Sequence, residues 1–109
     1  MNQLSKKLKH EFRELMEKAY EREIATYMHD LHEKFKDWEA GKIPAGELSV
    51  LIHQYDRGPS SEMFSRYNRV DPQISVARGL FKGLLKREEI SDEAYQFIKD
   101  LVEFYHKES

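Results

Sequence analysis

The chain of 109 residues contains no cysteine, only five glycines and three prolines, and no long apolar run. Without cysteine it has no disulfide framework, no thiolate nucleophile and no cysteine-based zinc site. No segment approaches the roughly 20 apolar residues that a membrane-spanning helix needs. The opening MNQLSKKLKHEF also lacks the apolar core of a signal peptide. We therefore expect a cytoplasmic protein of bacterial type.

The chain is rich in charge and in helix-forming residues. Charged side chains make up 35% of the sequence, whereas an average protein has about a quarter. The net charge is only −2, so the overall balance indicates no particular partner. Because glycine and proline cluster instead of scattering, long stretches remain free to form helix. Composition and length together predict a single all-α domain.

The prolines and glycines divide the predicted helices. We expect a long helix over 1–39, a loop over 40–46 and a helical remainder over 47–109. In that remainder the sequence DRGP predicts a helix end, and the following SSE predicts a helix start. Asp71 and Pro72 suit the N-cap and first position of another helix. The predicted fold is a small helical bundle with one long N-terminal helix followed by four shorter ones.

The first helix is too long for a compact domain of this size. About 37 residues of helix extend ~55 Å, whereas a compact chain of this length has a radius of gyration of ~13 Å. Its apolar stripe also turns by roughly 150° between its two halves. Either the helix bends near residues 19–24 so that both halves close on one core, or the N-terminal half packs on another subunit. We expect a homodimer formed through this helix. The apolar residues of the first half are Leu4, Leu8, Phe12, Leu15 and Ala19, and those of the second half are Ile24, Tyr27, Met28, Leu31, Phe35 and Trp38.

Two groups of residues have the spacing of metal ligands. His29, His32 and Glu33 share one helical face, but that face lies opposite the apolar stripe and is expected to be solvated. Glu103 and His106 form a single Glu-x-x-His pair, where a di-iron bundle needs two such pairs. We therefore predict no metal and no cofactor.

The segment HQYDRGPSSEMFSRYNR is the most polar part of the chain and invites a catalytic interpretation. His53, Asp56 and Ser60 are residue types found in nucleophilic sites. Their spacing meets no geometric requirement of such a site, and no strand-turn-helix elbow accompanies them. Helix punctuation accounts for most of these side chains. Catalysis is therefore the least supported interpretation, and we expect no catalytic centre.

Positive charge is concentrated in residues 57–87, which hold seven Lys and Arg residues and only two acidic residues. Arg78, Lys82 and Lys86 follow one another at intervals of four, so a continuous helix would align them in one row beside Gly79 and Gly83. Such a row could bind an anionic ligand or nucleic acid. The same glycines would equally suit close packing between helices. The candidate binding residues are His53, Arg57, Arg66, Tyr67, Arg69, Arg78 and Lys82.

The segment GKIPAGELSVLIHQYDRGPSSEMFSRYN resembles a pattern found in a group of short uncharacterised bacterial all-helical proteins. The matching pieces are Glu47-Leu48, Ile52-His53, Gly58-Pro59-Ser60 and the Phe64-to-Tyr67 spacing. This resemblance implies no activity. It does imply that His53, Arg66 and Tyr67 come together as a structural or ligand-holding cluster.

These observations lead to a ranked functional hypothesis. We expect a self-associating binding or scaffolding module without a catalytic centre, whose homo-oligomer forms through the long helix and which has a possible protein partner. The alternative is a binder of an anionic ligand or, less favoured, of nucleic acid, which would use the cationic residues of 57–87. No interaction with membranes is expected.

Overall fold

The computed structural model describes residues 4–108, which are mostly helical and contain no β-strand. The predicted all-α fold with one long first helix is therefore confirmed. A single 3-10 turn occupies Arg87–Glu89. The α-helices are α1 (Lys6–Glu39), α2 (Ala45–Tyr55), α3 (Ser61–Arg69), α4 (Pro72–Phe81) and α5 (Asp92–Glu108).

Helix α1 is uninterrupted for 34 residues, which corresponds to about 51 Å. It begins where the Ser5 hydroxyl accepts a hydrogen bond from the Leu8 N–H at 3.1 Å. It ends at Glu39, and Gly41, two residues later, has a φ of 78° that lets the Lys42 N–H donate to the Asp37 carbonyl at 2.8 Å. The molecule is 58 Å long and has a radius of gyration of 17.5 Å. A compact chain would give ~13 Å, so the prediction that α1 is too long for a compact domain is confirmed.

The prediction that DRGP ends one helix and SSE starts another is wrong. Asp56–Ser60 form a π-helical turn that joins α2 to α3 without a break. Ser60 has helical torsion angles and makes no capping hydrogen bond, so it continues the helix. Pro59 lacks an N–H, and its ring would clash with a carbonyl four residues earlier in a regular α-helix. The wider π turn removes both conflicts.

The extra residue of the π turn keeps one apolar face in line. At about 100° per residue, Met63 and Tyr67 would lie about 100° away from the face of Leu48 and Tyr55 in an unbroken α-helix. One inserted residue rotates them back onto that face, so α2 and α3 both pack along α1. Met63 and Tyr67 are buried there.

The core lies at one end of the molecule. We call this end the head: the N-terminal half of α1 together with α3, α4 and α5. Phe12, Ala19, Val76, Ala94 and Ile98 have no exposed surface. Beyond the head, residues 25–39 of α1 and helix α2 project as an antiparallel pair, which we call the arm. Leu48 of α2 is buried but lies outside the main core cluster.

The packing of α1 corrects one prediction. The N-terminal half of α1 was expected to face another subunit, yet Leu8, Phe12, Leu15 and Ala19 are all buried in the head of their own chain. The apolar residues left exposed are in the second half, where Met28, Phe35 and Trp38 are all exposed. The stripe turns because α4 and α5 cover the first half, whereas only α2 covers the second.

Candidate functional site

Three of the predicted binding residues meet around an unpredicted carboxylate. Glu23 of α1 accepts hydrogen bonds from both Arg78 terminal nitrogens, each at 2.9 Å, and from the Tyr67 hydroxyl at 2.8 Å. The Arg66 guanidinium is 3.7 Å from the same carboxylate. The Glu23 and Arg78 side chains are 13% and 16% exposed, so water screens them little. Helices α1, α3 and α4 are thereby joined at one point.

The electrostatics of this cluster are those of a satisfied ion pair. The Arg78 hydrogen bonds hold the pKa of Glu23 below its ordinary value and outweigh the opposing effect of burial. Glu23 in turn raises the pKa of Arg78. Burial, then the hydrogen bond to Glu23, raises the pKa of the Tyr67 hydroxyl. Glu23 already neutralises Arg78, so this pair offers little net positive charge to an incoming anion.

The predicted cationic row on α4 is not formed. Helix α4 ends at Phe81, and Gly83, with a φ of 76°, allows the Leu84 N–H to bond the Gly79 carbonyl at 2.8 Å. Lys82 is therefore a C-cap residue, and Lys86 lies in the following loop. Gly83 is a helix terminator of the kind that favours glycine. Gly79 has the packing role, because a Cβ there would lie 3.0 Å from Leu85 and 3.4 Å from Ala19.

The remaining predicted binding residues are dispersed. His53 and Arg57 line a shallow surface of about 650 Å³ with Ser49 and Gln54. Both are exposed, and the surface that they line includes no residue of the Glu23 cluster. Arg69 is exposed at the end of α3. Arg66 and Tyr67 both contact Glu23, whereas His53 lies on a different surface, beside Arg57.

A second ion-pair system was not anticipated from the sequence. Arg22 donates to both carboxylate oxygens of Glu89, each at 2.7 Å, and to the Leu84 carbonyl at 2.8 Å. The Glu89 carboxylate also accepts a hydrogen bond from the Lys86 N–H. The hydrogen bonds from Arg22 are the main reason that the pKa of Glu89 is lowered to about 2. The Glu11 carboxylate similarly accepts hydrogen bonds from the Ser91 N–H and from the Ser91 hydroxyl, at the start of α5. These contacts fasten the loop between α4 and α5 to α1.

The arm contains an open apolar groove between its two helices. It has a volume of about 200 Å³ and is lined by residues of α1, α2 and the π turn. Asp30 and Lys34, four residues apart on α1, provide its charged rim. Lys34 also forms an ion pair with Asp37, at 4.0 Å. Because this pair is exposed to solvent, it contributes little to stability. We call this the arm groove; it is lined by Tyr27, Asp30, Leu31, Lys34, Leu51, Tyr55 and Pro59.

The opposite edge of the same two helices carries large exposed side chains. Met28 and Phe35 each follow a groove residue, Tyr27 and Lys34, and therefore lie about 100° further around α1. On α2, Ile52 is displaced in the matching direction, away from Leu51 in the groove. The extra residue of the π turn places Phe64 of α3 in line with Ile52. We call these four residues, Met28, Phe35, Ile52 and Phe64, the outer stripe.

Residues 4–108 contain neither a metal-binding cluster nor a helix able to span a membrane. No three His, Cys, Asp or Glu side chains within that span are arranged to hold a metal ion. None of its helices has the combination of length and apolar character that crossing a bilayer requires. His29, His32 and Glu33 are all exposed on α1, as their position opposite the apolar stripe predicts.

Comparison with known proteins gives no relative: no family model, no curated protein and no solved structure matches the chain. A proposal for its function therefore rests on the geometry of the head and the arm.

Proposed function

We propose that this protein is a self-associating binding module and that a second copy of the chain occupies the arm groove. The observation that carries the proposal is the contrast within α1. Its N-terminal half is covered by α4 and α5, whereas its C-terminal half borders an open apolar groove. An open groove of this kind, rimmed by charges, is typical of an interaction site.

A second copy fits this rim because the rim is complementary to itself. Asp30 and Lys34 are one helical turn apart with opposite charges. A two-fold axis crossing α1 perpendicularly at the level of His32 would place Asp30 opposite Lys34 of the partner subunit, and the reverse. Tyr27, Leu31 and Leu51 would then be covered between the paired rims. The two arms would form a four-helix bundle, in which each arm supplies two helices.

The test exchanges the two charges of the rim. Wild-type protein at micromolar concentration is expected to scatter light with twice the 13.0 kDa chain mass. Asp30→Lys alone, or Lys34→Asp alone, should weaken the dimer by about tenfold or more, because like charges then face each other twice. The double exchange Asp30→Lys/Lys34→Asp restores both pairs and should restore the dimer.

Lys36→Asp is the matched control. It makes the same change two residues from Lys34, at a position about 160° away around α1, and should leave the mass unchanged. A wild-type protein that stays monomeric at every concentration would overturn the proposal. Single variants that dimerise as well as the wild type would show that the interface lies elsewhere.

The alternative function, binding of an anion or nucleic acid, has weaker structural support. Arg66 and Arg78 contact Glu23, and Arg87 contacts Asp92 at 2.7 Å. The alternative would thus depend on dispersed side chains such as Arg57, Arg69 and Lys82. A salt-sensitive interaction with nucleic acid that Arg69→Glu/Lys82→Glu abolishes would favour it.

A further inference from the structure

We propose that the outer stripe binds a basic amphipathic helix of a partner protein. This surface lies on the opposite edge of the helix pair from the arm groove, so the proposal does not depend on dimerisation. Met28 and Phe64 are 54% and 67% exposed, and Phe35 and Ile52 are 38% and 40% exposed. Taking about 200 Å² for a full side chain, the four expose roughly 400 Å² of apolar surface, comparable to the largest patch on a typical monomer.

The dimensions of the stripe suit a helix. Ile52 and Phe64 are separated by three helical turns once the π residue is allowed for, which is about 17 Å. Met28 and Phe35 are two turns apart on the neighbouring helix. The stripe therefore runs along the shallow boundary between two antiparallel helices. A third helix laid on this boundary would bury anchors spaced at i, i+3 or i+4, and i+7.

The charges beside the outer stripe indicate the sign of the charge that a partner should carry. At about 100° per residue, Glu21 and Glu39 flank it on α1, and Asp56 flanks it on the α2 side. These three carboxylates are exposed. The other rim side chains at these angles include His32, Ser49, Ser61 and Asn68. Arg57 borders Ser49 and His53 on the α2 side, so the rim carries three carboxylates against one neighbouring cation and keeps a net negative charge. A second copy would bring carboxylates against carboxylates, whereas a helix with Lys or Arg beside its apolar face would pair with them.

The interaction can be measured with a designed probe. The probe is a fluorescein-labelled helical peptide of about 18 residues, with leucines at the i, i+3, i+4, i+7 positions and lysines elsewhere. A matched peptide carries glutamate in place of every lysine. Fluorescence anisotropy with the full chain should show the lysine peptide binding at least about tenfold more tightly than the glutamate peptide.

The variants assign that binding to the stripe. Met28→Ser/Phe64→Ser should reduce the affinity of the lysine peptide about tenfold or more, because it removes the two most exposed anchors without changing charge. Val50→Ser/Phe104→Ser is the matched control, since these residues are 54% and 55% exposed but lie outside the stripe. The control should bind the peptide as the wild type does. Circular dichroism of each variant verifies that the helices are intact.

The rim is tested separately. A triple variant that neutralises the rim should lower the affinity for the lysine peptide several-fold and reduce the salt dependence of binding. Its substitutions are Glu21→Gln, Glu39→Gln and Asp56→Asn. Glu47→Gln/Glu103→Gln/Asp100→Asn makes the same change in net charge away from the rim and should have less effect. Repeating the measurement with Asp30→Lys, which disrupts the proposed dimer, should give the wild-type affinity for the peptide.

Four results would overturn the proposal. The two peptides could bind equally, or the stripe variant could bind like its control. The stripe variant could instead lower the mass measured by light scattering, in which case a second copy covers the stripe. Finally, vesicles of phosphatidylserine could bind the wild type but not the stripe variant, and the ligand would then be a membrane surface.

Discussion

The two halves of α1 belong to the same helix but have opposite relations to solvent. Phe12 in the head has no exposed surface, whereas Phe35 in the arm is 38% exposed. The difference comes from what lies beside them: α4 and α5 cover the head half, while the arm half has only α2. One helix can therefore contribute to a packed core at one end and leave large apolar side chains exposed at the other.

The largest expected effect is a difference in the folding stability lost when a phenylalanine is removed from each half of α1. Phe12→Ala should lower the free energy of unfolding by about 3–5 kcal/mol, because it opens a cavity in the packed head. Phe35→Ala should lower it by about 1 kcal/mol or less, because that ring is partly in water already. Urea denaturation followed by circular dichroism measures both. Equal losses for the two variants would contradict the division into head and arm.

A smaller effect is expected from the ion pair at the edge of the head. Glu23→Gln should lower the free energy of unfolding by about 2–3 kcal/mol at neutral pH, since it leaves the Arg78 charge without its counter-ion. Urea denaturation at several pH values measures this loss. Glu21→Gln, an exposed neighbour on α1, should change stability by no more than about 0.5 kcal/mol.

The same variant should alter the response to acid. The folded-state pKa of Glu23 lies below its ordinary value of 4.5. Its stabilisation is therefore complete above that value and is lost as the pH falls through the folded-state pKa. The difference between wild type and Glu23→Gln should accordingly shrink below pH 4.5. A difference that stays constant down to strongly acidic pH would exclude Glu23 as its source.

Much of the division of the molecule into head and arm could be predicted from local sequence signals. Ser5, Gly41 and Pro72 mark helix ends because each satisfies a geometric need within its own few residues. The turn of the apolar stripe along α1 also predicts that its halves face different surroundings. The sequence could not indicate which half lies in the chain's own core, because that depends on where α4 and α5 fold back.

The errors have specific causes. Pro59 beside Gly58 resembles a helix end, but a π turn accommodates the proline because the apolar faces of α2 and α3 gain from being aligned. Gly83 was interpreted as an interior glycine although it follows a helix C-cap, so the row of cations was extended too far. The pairing of Glu23 with Arg78 joins residues 55 positions apart, and no local pattern predicts a contact at that separation.

Backbone amide hydrogen exchange at low and high protein concentration tests the central claim most directly. If a second copy covers the arm groove, amides in 27–34 and 51–59 should exchange more slowly as concentration rises, while those in 8–19 should not change. Slowing confined to 8–19, or exchange that is independent of concentration throughout the arm, would contradict it.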